Sequence, residues 1–319
     1  ATTQFSASQS ADALSFLAMA GFSARQSIAA LPGTLQLAAS AQMGLADAAD
    51  IVSNVLSGYG MEVSELARVN DVLVKTFTSA NTDLRQLGEA MKYAGPIASA
   101  AGVSFEEAAA AIGLMGNAGI QSSMAGTSLR GAIGRILQPT AAAAAAMRNL
   151  GLSFTDSEGR LISFDQIISQ LAPHADDAGL FIKLFGQRAG PAMAALVSQG
   201  ANSLVRLRGE LENAGGTAER IASAQMKGLN GAMKRLASAF EAVQIAISNS
   251  GLLDFATQMA DRLAAMLTQL STVHPGLLRL GTIAAGLAIA IGPLVLAAGF
   301  LTASFAAIAP IVASLTVPI

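Results

Sequence analysis

Of the 319 residues in the chain, 52% are hydrophobic and only 13% are charged, whereas soluble proteins carry about 25% charged residues. With so few charged residues, much of the protein surface must be covered by protein or lipid rather than by water. The net charge of −2 creates no positive field that would attract nucleic-acid phosphates. The chain has no Cys, which excludes disulfides, thiolate metal sites and cysteine nucleophiles.

Short helices are predicted from residue 24 to residue 200. Their starts are indicated by side chains that can cap a helix N-terminus, namely Ser23, Ser104, Thr140 and Ser163. Prolines interrupt the pattern at Pro32, Pro96, Pro139, Pro173 and Pro191. Because Pro lacks a backbone N–H and clashes with the preceding turn, continuous helix is excluded here. We therefore predict a compact multi-helix bundle.

Residues 152 to 164 are the one place where the pattern changes. Apolar and polar residues alternate in 152–155 and again in 160–164, on both sides of a turn that contains Gly159. Alternation around a Gly-containing turn predicts a small β-hairpin.

A long amphipathic helix is predicted from Thr217 to about residue 249, where no Pro occurs. Apolar residues recur there at alternating spacings of three and four: Met226, Leu229, Met233, Leu236, Phe240, Val243 and Ile247. This heptad seam is typical of a coiled coil that joins copies of a chain. A helix that covers its own bundle shows the same spacing, so both interpretations stay open.

After Arg279 the chain carries no formal charge to Ile319, a run of about 40 residues where a bilayer span needs about 20. The predicted membrane segment contains Leu280, Ile283, Leu287, Ile289, Ile291, Pro293, Leu294, Val295, Leu296, Phe300, Leu301 and Phe305. Because Pro293 and Pro310 interrupt it, it fits one kinked span, a helical hairpin or an apolar helix buried in a complex.

Catalytic and metal-binding patterns are weak. His174 precedes Asp176 and Asp177, but carboxylates at a helix N-terminus explain these two more simply than a metal does. Glu106 and Glu107 are adjacent, so on a helix they point about 100° apart and cannot form a catalytic pair. We predict no catalytic residue, no metal and no cofactor, and hence no enzyme.

Several segments together resemble the core domain of phage tail tape measure proteins. They include LSFLAMAGFSARQSIAALPGTLQLAAS (residues 14 to 40), GLADAADIVSNVLSGYGMEVSE (residues 44 to 65) and FGQRAGPAMAAL (residues 185 to 196). A longer stretch from residue 81 to residue 136 continues the likeness. The apolar block GTIAAGLAIAIGPLVLAAG (residues 281 to 299) resembles the hydrophobic segment that follows this core in the family.

The resemblance implies a virion protein of the tail tube lumen or tail tip, in contact with tail tube, distal tail and tail hub or tip proteins. It would set tail length during assembly and leave ahead of the DNA, helping the genome to cross the host inner membrane without sequence-specific nucleic-acid binding. Threefold or sixfold symmetry of the tail tube would favour three or six copies along its axis, and of these we expect self-association as a trimer. The alternative is a bacterial membrane protein or pore-forming toxin with a permanent C-terminal anchor.

Three regions are expected. Residues 1–215 form the helical core, residues 216–273 the long amphipathic region and residues 274–319 the membrane-active segment. The fold class is all-α: a multi-helix bundle with one small β-hairpin, a long amphipathic helix and a C-terminal apolar helical segment. Because the chain begins without Met and is broken by Gly and Pro, we interpret it as a fragment or processed product whose extended ruler lies elsewhere.

Overall fold

Helices make up most of the described chain, which comprises residues 5, 7–227 and 262 of a computed structural model. Between residues 7 and 227 there are α1 (Ala7–Met19), α2 (Ala24–Ser40), α3 (Leu45–Tyr59), α4 (Leu66–Ser79), α5 (Leu84–Ala100), α6 (Phe105–Asn117), α7 (Ser122–Leu137), α8 (Ala141–Leu150), α9 (Phe164–Leu171), α10 (Ala178–Ser198), α11 (Ala201–Glu212) and α12 (Thr217–Lys227). Short 3-10 helices, Val63–Glu65 and Ala172–His174, precede α4 and α10. The described residues contain no β-sheet, and the all-α class is confirmed for them.

The predicted capping residues lie at helix starts. Ser23 and Gln26 form the complete capping box of α2: the Ser23 hydroxyl accepts from Gln26 N at 3.3 Å, and Gln26 Oε1 accepts from Ser23 N at 2.9 Å. The Thr140 hydroxyl accepts from Ala143 N at 3.2 Å, and α8 ends at Gly151 with φ +69°. Local sequence therefore sets these boundaries.

The prediction that prolines separate the helices is wrong at three of the five positions. Pro139 and Pro173 do lie outside α-helices, but Pro32, Pro96 and Pro191 lie inside α2, α5 and α10. Each costs one backbone hydrogen bond, and packing of the neighbouring turns offsets that loss. The break in α10 falls instead at Gly186, whose φ of +83° suits a residue without a side chain.

The predicted hairpin at 152–164 is not confirmed, because only one antiparallel bridge forms there, between Thr155 and Leu161. The Asp156 side chain organises the turn: its Oδ1 accepts from Glu158 N and from Arg160 N, each at 2.9 Å. The Phe154 ring leaves the turn and stacks on Phe185 at 6.1 Å, inside the core. Local turn bonds and core packing thus take the place of a strand ladder.

The core is arranged around α6, which is buried from Phe105 to Gly116. A helix that is apolar on all sides has no solvent face to offer, so it belongs in the middle of a bundle. It packs against α4, α5, α7, α10 and α11. The four consecutive alanines Ala108–Ala111 are fully buried, and their small side chains let these neighbours approach. Elsewhere the approach is closer still, since a Cβ on Gly126 of α7 would lie 2.2 Å from the Ala90 carbonyl oxygen of α5.

We expect Gly126→Ala to destabilise the protein by about 1–3 kcal/mol, because the added methyl group would collide with backbone atoms of α5 that cannot move aside alone. Urea denaturation measures the free energy of unfolding. Gly209→Ala in α11 is the matched control: nothing lies within 4 Å of its added methyl group, so it should stabilise by up to about 1 kcal/mol. Equal stability of the two variants would contradict the close crossing of α5 and α7.

Candidate functional site

The buried helix α6 begins with two carboxylates, and these are the candidate functional residues of the described chain. Glu106 and Glu107 are both 8% exposed. They point to different partners, as their adjacency predicted. The Glu106 carboxylate pairs with the Arg68 guanidinium, which also pairs with Glu65. Because Arg68 belongs to α4, this ion pair joins α4 to the start of α6.

Glu107 points to another side of the helix, about 100° around its axis from Glu106. Its Oε1 accepts a hydrogen bond from Phe164 N at 2.6 Å and lies 3.8 Å from Arg208 Nη1. The same Arg208 of α11 pairs with Asp165 at 2.9 Å and with Glu212 at 3.5 Å. One guanidinium thus lies within ion-pair distance of carboxylates from α6, α9 and α11.

This arrangement explains an unexpected detail of α9. Ser163 precedes the helix, as predicted, but its side chain makes no capping bond. Glu107 satisfies the first N–H group of α9 instead, from 57 residues away in sequence. A carboxylate at the positive end of a helix is stabilised by the helix dipole as well as by the hydrogen bond.

Burial dominates the electrostatics of this junction. It raises the pKa of Glu107, while the Phe164 N–H and the Arg208 charge act in the opposite direction. Burial also raises the pKa of Tyr59, with smaller contributions from the negative charges of Glu106 and Glu107. The Tyr59 ring packs edge-on against Phe105 at 5.4 Å, and its buried hydroxyl has no hydrogen-bond partner in the described chain.

A second junction attaches α12 to the core. The Asp71 carboxylate of α4 accepts from Gly216 N at 2.9 Å and from Ala218 N at 2.8 Å, which caps α12 from another helix. Ser40 Oγ donates to the Ala218 carbonyl at 2.8 Å, and Gln42 Nε2 donates to Gln225 Oε1 at 2.5 Å. The core thereby fixes the helix in which the predicted heptad seam begins.

Most of the predicted site residues lie outside the described chain. Of the seam, only the backbone of Met226 is described, at the end of α12; Leu229, Met233, Leu236, Phe240, Val243 and Ile247 lie beyond it. The whole predicted membrane segment, from Leu280 to Phe305, also lies beyond it. None of the helices that the structure describes is long and apolar enough to cross a bilayer.

His174, Asp176 and Asp177 do not form a metal-binding cluster. Asp177 caps α10 by accepting from Leu180 N at 2.9 Å, as the helix-terminus interpretation predicted. Over residues 7–227 no group of three or more His, Cys, Asp or Glu side chains could hold a metal ion.

Comparison with known proteins identifies the family of this helical chain. The family model described as phage-related minor tail protein matches residues 1–186, more than half of the sequence. This chain belongs to the phage-related minor tail protein family. It is therefore a phage tail protein, which locates it in the virion.

Two curated relatives of this tail protein are much longer than it is. A protein named tape measure protein from Pneumococcus phage Dp-1 is 34% identical over 94% of this chain, which spans 26% of that relative. A probable tape measure protein of Escherichia phage P2 is 30% identical over 76% of the chain, which spans 31% of it. The tail protein thus spans about a quarter to a third of these relatives. No solved structure matches it.

We expect Glu107→Gln to flatten the pH dependence of stability. The pKa of Glu107 is raised above its ordinary value of 4.5, so the folded chain binds more protons than the unfolded chain above that pH. Wild-type stability should therefore fall as the pH rises from about 4.5 through the raised pKa. Gln keeps an oxygen that accepts from Phe164 N but carries no charge, so this loss should disappear.

Urea denaturation across that pH range, from about 4.5 to neutral, measures the effect. Glu62→Gln removes one exposed carboxylate by the same change and controls for net charge. Identical slopes for wild type and Glu107→Gln would contradict the role assigned to burial of this carboxylate.

Proposed function

We propose that this chain is the globular core, with its hydrophobic continuation, of a phage tail tape measure protein. The observation that carries the proposal is the family match over residues 1–186, together with two long relatives that bear the tape measure name. Such a protein lies in the tail tube lumen or tail tip and contacts tail tube, distal tail and hub or tip proteins. Its role is structural rather than catalytic.

In this proposal the length ruler lies mainly outside the present sequence. A ruler needs an extended rod, and an uninterrupted helix of 319 residues would reach roughly 480 Å at about 1.5 Å per residue. The described part of the chain consists instead of helices of 21 residues or fewer, folded back on one another. The bundle is suited to a fixed position in the tail, and length determination is assigned to the rest of the protein.

The C-terminal segment supplies the membrane step of the proposal. Residues 280–319 lack formal charge, so they need a cover inside the tail and have lipid as an alternative environment. After release from the tail they insert into the host inner membrane and help the genome to pass. The hydrogen bonds to Asp71 hold the start of α12, the last described helix before this segment, against the core.

Deleting residues 280–319 should abolish stable association of the chain with neutral phosphatidylcholine vesicles, because the run of uncharged residues is the part that enters the hydrocarbon. Flotation on a density gradient measures the bound fraction. A second variant, Ile289→Asp with Leu296→Asp, keeps the length and should also lose insertion, at roughly 2.5–3.5 kcal/mol per carboxylate at the bilayer centre. Ile289→Val with Leu296→Ile is the apolar control. Unchanged flotation after the deletion would refute membrane insertion.

We also propose that the heptad seam joins copies of the chain, with three around the tail axis. The spacing of three and four begins in α12, whose N-terminal end is held on α2 and α4 by Asp71 and Ser40. The heptad spacing continues in sequence beyond this anchored helix, and such a spacing is the pattern by which copies of a chain pair.

Leu236→Glu with Phe240→Glu should reduce the mass of the assembled protein to that of the monomer, because charges would enter an apolar interface. Static light scattering measures the mass. Ser238→Glu with Ala242→Glu adds the same charge at heptad positions away from the seam and should leave the mass unchanged. If the seam variant also keeps the wild-type mass, the seam packs within its own chain.

A further inference from the structure

Three packed helices of the core carry basic side chains and no carboxylate. Neither α7, α8 nor α10 contains Asp or Glu, and α10 packs against both of the others. Their basic residues are all exposed, and we refer to them as the basic face: Arg130, Arg135, Arg148, Lys183 and Arg188. The carboxylates nearest to these helices in sequence are Asp176 and Asp177, which precede α10.

Basic residues on α4 and α5 are used differently. Every one on α4 and α5 pairs with a carboxylate of the same chain: Arg68 with Glu106, Lys75 with Glu210, Arg85 with Asp47 and Lys92 with Asp50. In contrast, no residue of the basic face forms an ion pair with any carboxylate that the structure describes. Its charges are not neutralised within the described chain and create a positive field towards the solvent.

One of these cations, Arg135, lies at the kink of α10, and two others are close to the kink along the helix. Lys183 and Arg188 stand on either side of Gly186, where the helix breaks. Arg135 of α7 lies against the same point, with Nε and Nη2 each 3.8 Å from the position that a Cβ on Gly186 would take. Ser128 of α7 holds the second half of α10 in place by donating to the Arg188 carbonyl at 3.3 Å. The kink therefore brings cations from two helices to one place.

The same three helices also expose large apolar side chains. Ile182, next to Lys183, is 44% exposed, and Met124 is 59% exposed. Leu150, at the C-terminal end of α8, is exposed as well, whereas the exposed Leu137 of α7 lines a pocket together with Asp156 and Arg160. Cationic and large apolar side chains without carboxylates are the composition of surfaces that lie on a membrane, where cations meet anionic headgroups and apolar groups enter the boundary region.

We propose that the basic face docks the folded core on an anionic lipid bilayer. Duplex DNA would match the cations but would leave the exposed Ile182 and Met124 in water, whereas a bilayer surface receives both kinds of group. The inference rests on the proposed function for the encounter with a membrane, but it concerns residues in α7, α8 and α10, far in sequence from 280–319. The core thus reaches the membrane surface by a peripheral contact that needs no insertion.

The test compares two charge-matched variants of the full chain. Arg135→Gln with Lys183→Gln and Arg188→Gln removes three charges from the basic face. The control variant, Arg25→Gln with Arg206→Gln and Arg220→Gln, removes three exposed charges from other helices. None of these three arginines forms an ion pair with a described carboxylate. Flotation with phosphatidylglycerol vesicles and with phosphatidylcholine vesicles measures the partition coefficients, and circular dichroism checks that both variants keep their helices.

On phosphatidylglycerol the face variant should bind on the order of a hundredfold more weakly than wild type, and raising the salt concentration should reduce the difference. The control variant should lose much less. On phosphatidylcholine, wild type and both variants should bind alike, since any insertion of 280–319 does not depend on headgroup charge. Ile182→Ser should weaken binding to phosphatidylglycerol severalfold.

Equal loss in the two triple variants would overturn the inference, because it would reduce the effect to net charge. Loss of duplex DNA binding with unchanged vesicle binding would assign the face to nucleic acid, and a change of mass in light scattering would assign it to a second copy. These results are separate from the deletion of 280–319. If the deletion leaves flotation on phosphatidylcholine unchanged while the face variant loses phosphatidylglycerol binding, insertion fails and the peripheral contact stands.

Discussion

The bundle depends on a fully buried helix that begins with two carboxylates. The alanine-rich α6 can lie at the centre only if Glu106 and Glu107 are paired, because an unpaired buried charge costs several kcal/mol. Arg68 pairs with Glu106 and Arg208 with Glu107, and Phe164 also donates its backbone N–H to Glu107. Removing either arginine would leave a carboxylate without its cation, so the ion pairs determine which helices can surround the centre.

That constraint explains why α4, α9 and α11 hold their places. Each contributes a polar group that reaches the first turn of α6: Arg68, the Phe164 N–H and Arg208. Apolar packing alone would leave the helices free to slide, since alanine surfaces are smooth and similar along their length. The polar bonds to the first turn of α6 select one arrangement of these helices. At the crossing of α5 and α7, Gly126 fixes a second contact because there is no room for a side chain.

The sequence predicts the local features of this fold and misses those that depend on distant residues. Ser23 and Thr140 cap helices as expected, because a cap needs only its own next turn. The capping of α9 by Glu107 joins residues 57 apart, and no local pattern signals it. Pro32, Pro96 and Pro191 remain inside helices because packing outweighs one lost bond. The absence of acidic residues from α7, α8 and α10 was visible in the sequence, but only their packing against one another makes a surface of it.

The attachment of α12 has a mechanical consequence. Its polar contacts lie in series along the helix: Gln225 meets Gln42 near the C-terminal end, and Asp71 holds the N-terminal end. A pull exerted through Lys227 loads the glutamine pair first and the aspartate last. The bonds are therefore loaded one after another rather than together, and none of them involves the carboxylate pairs of α6. Separation of α12 from the core would thus leave the ion pairs at the start of α6 in place.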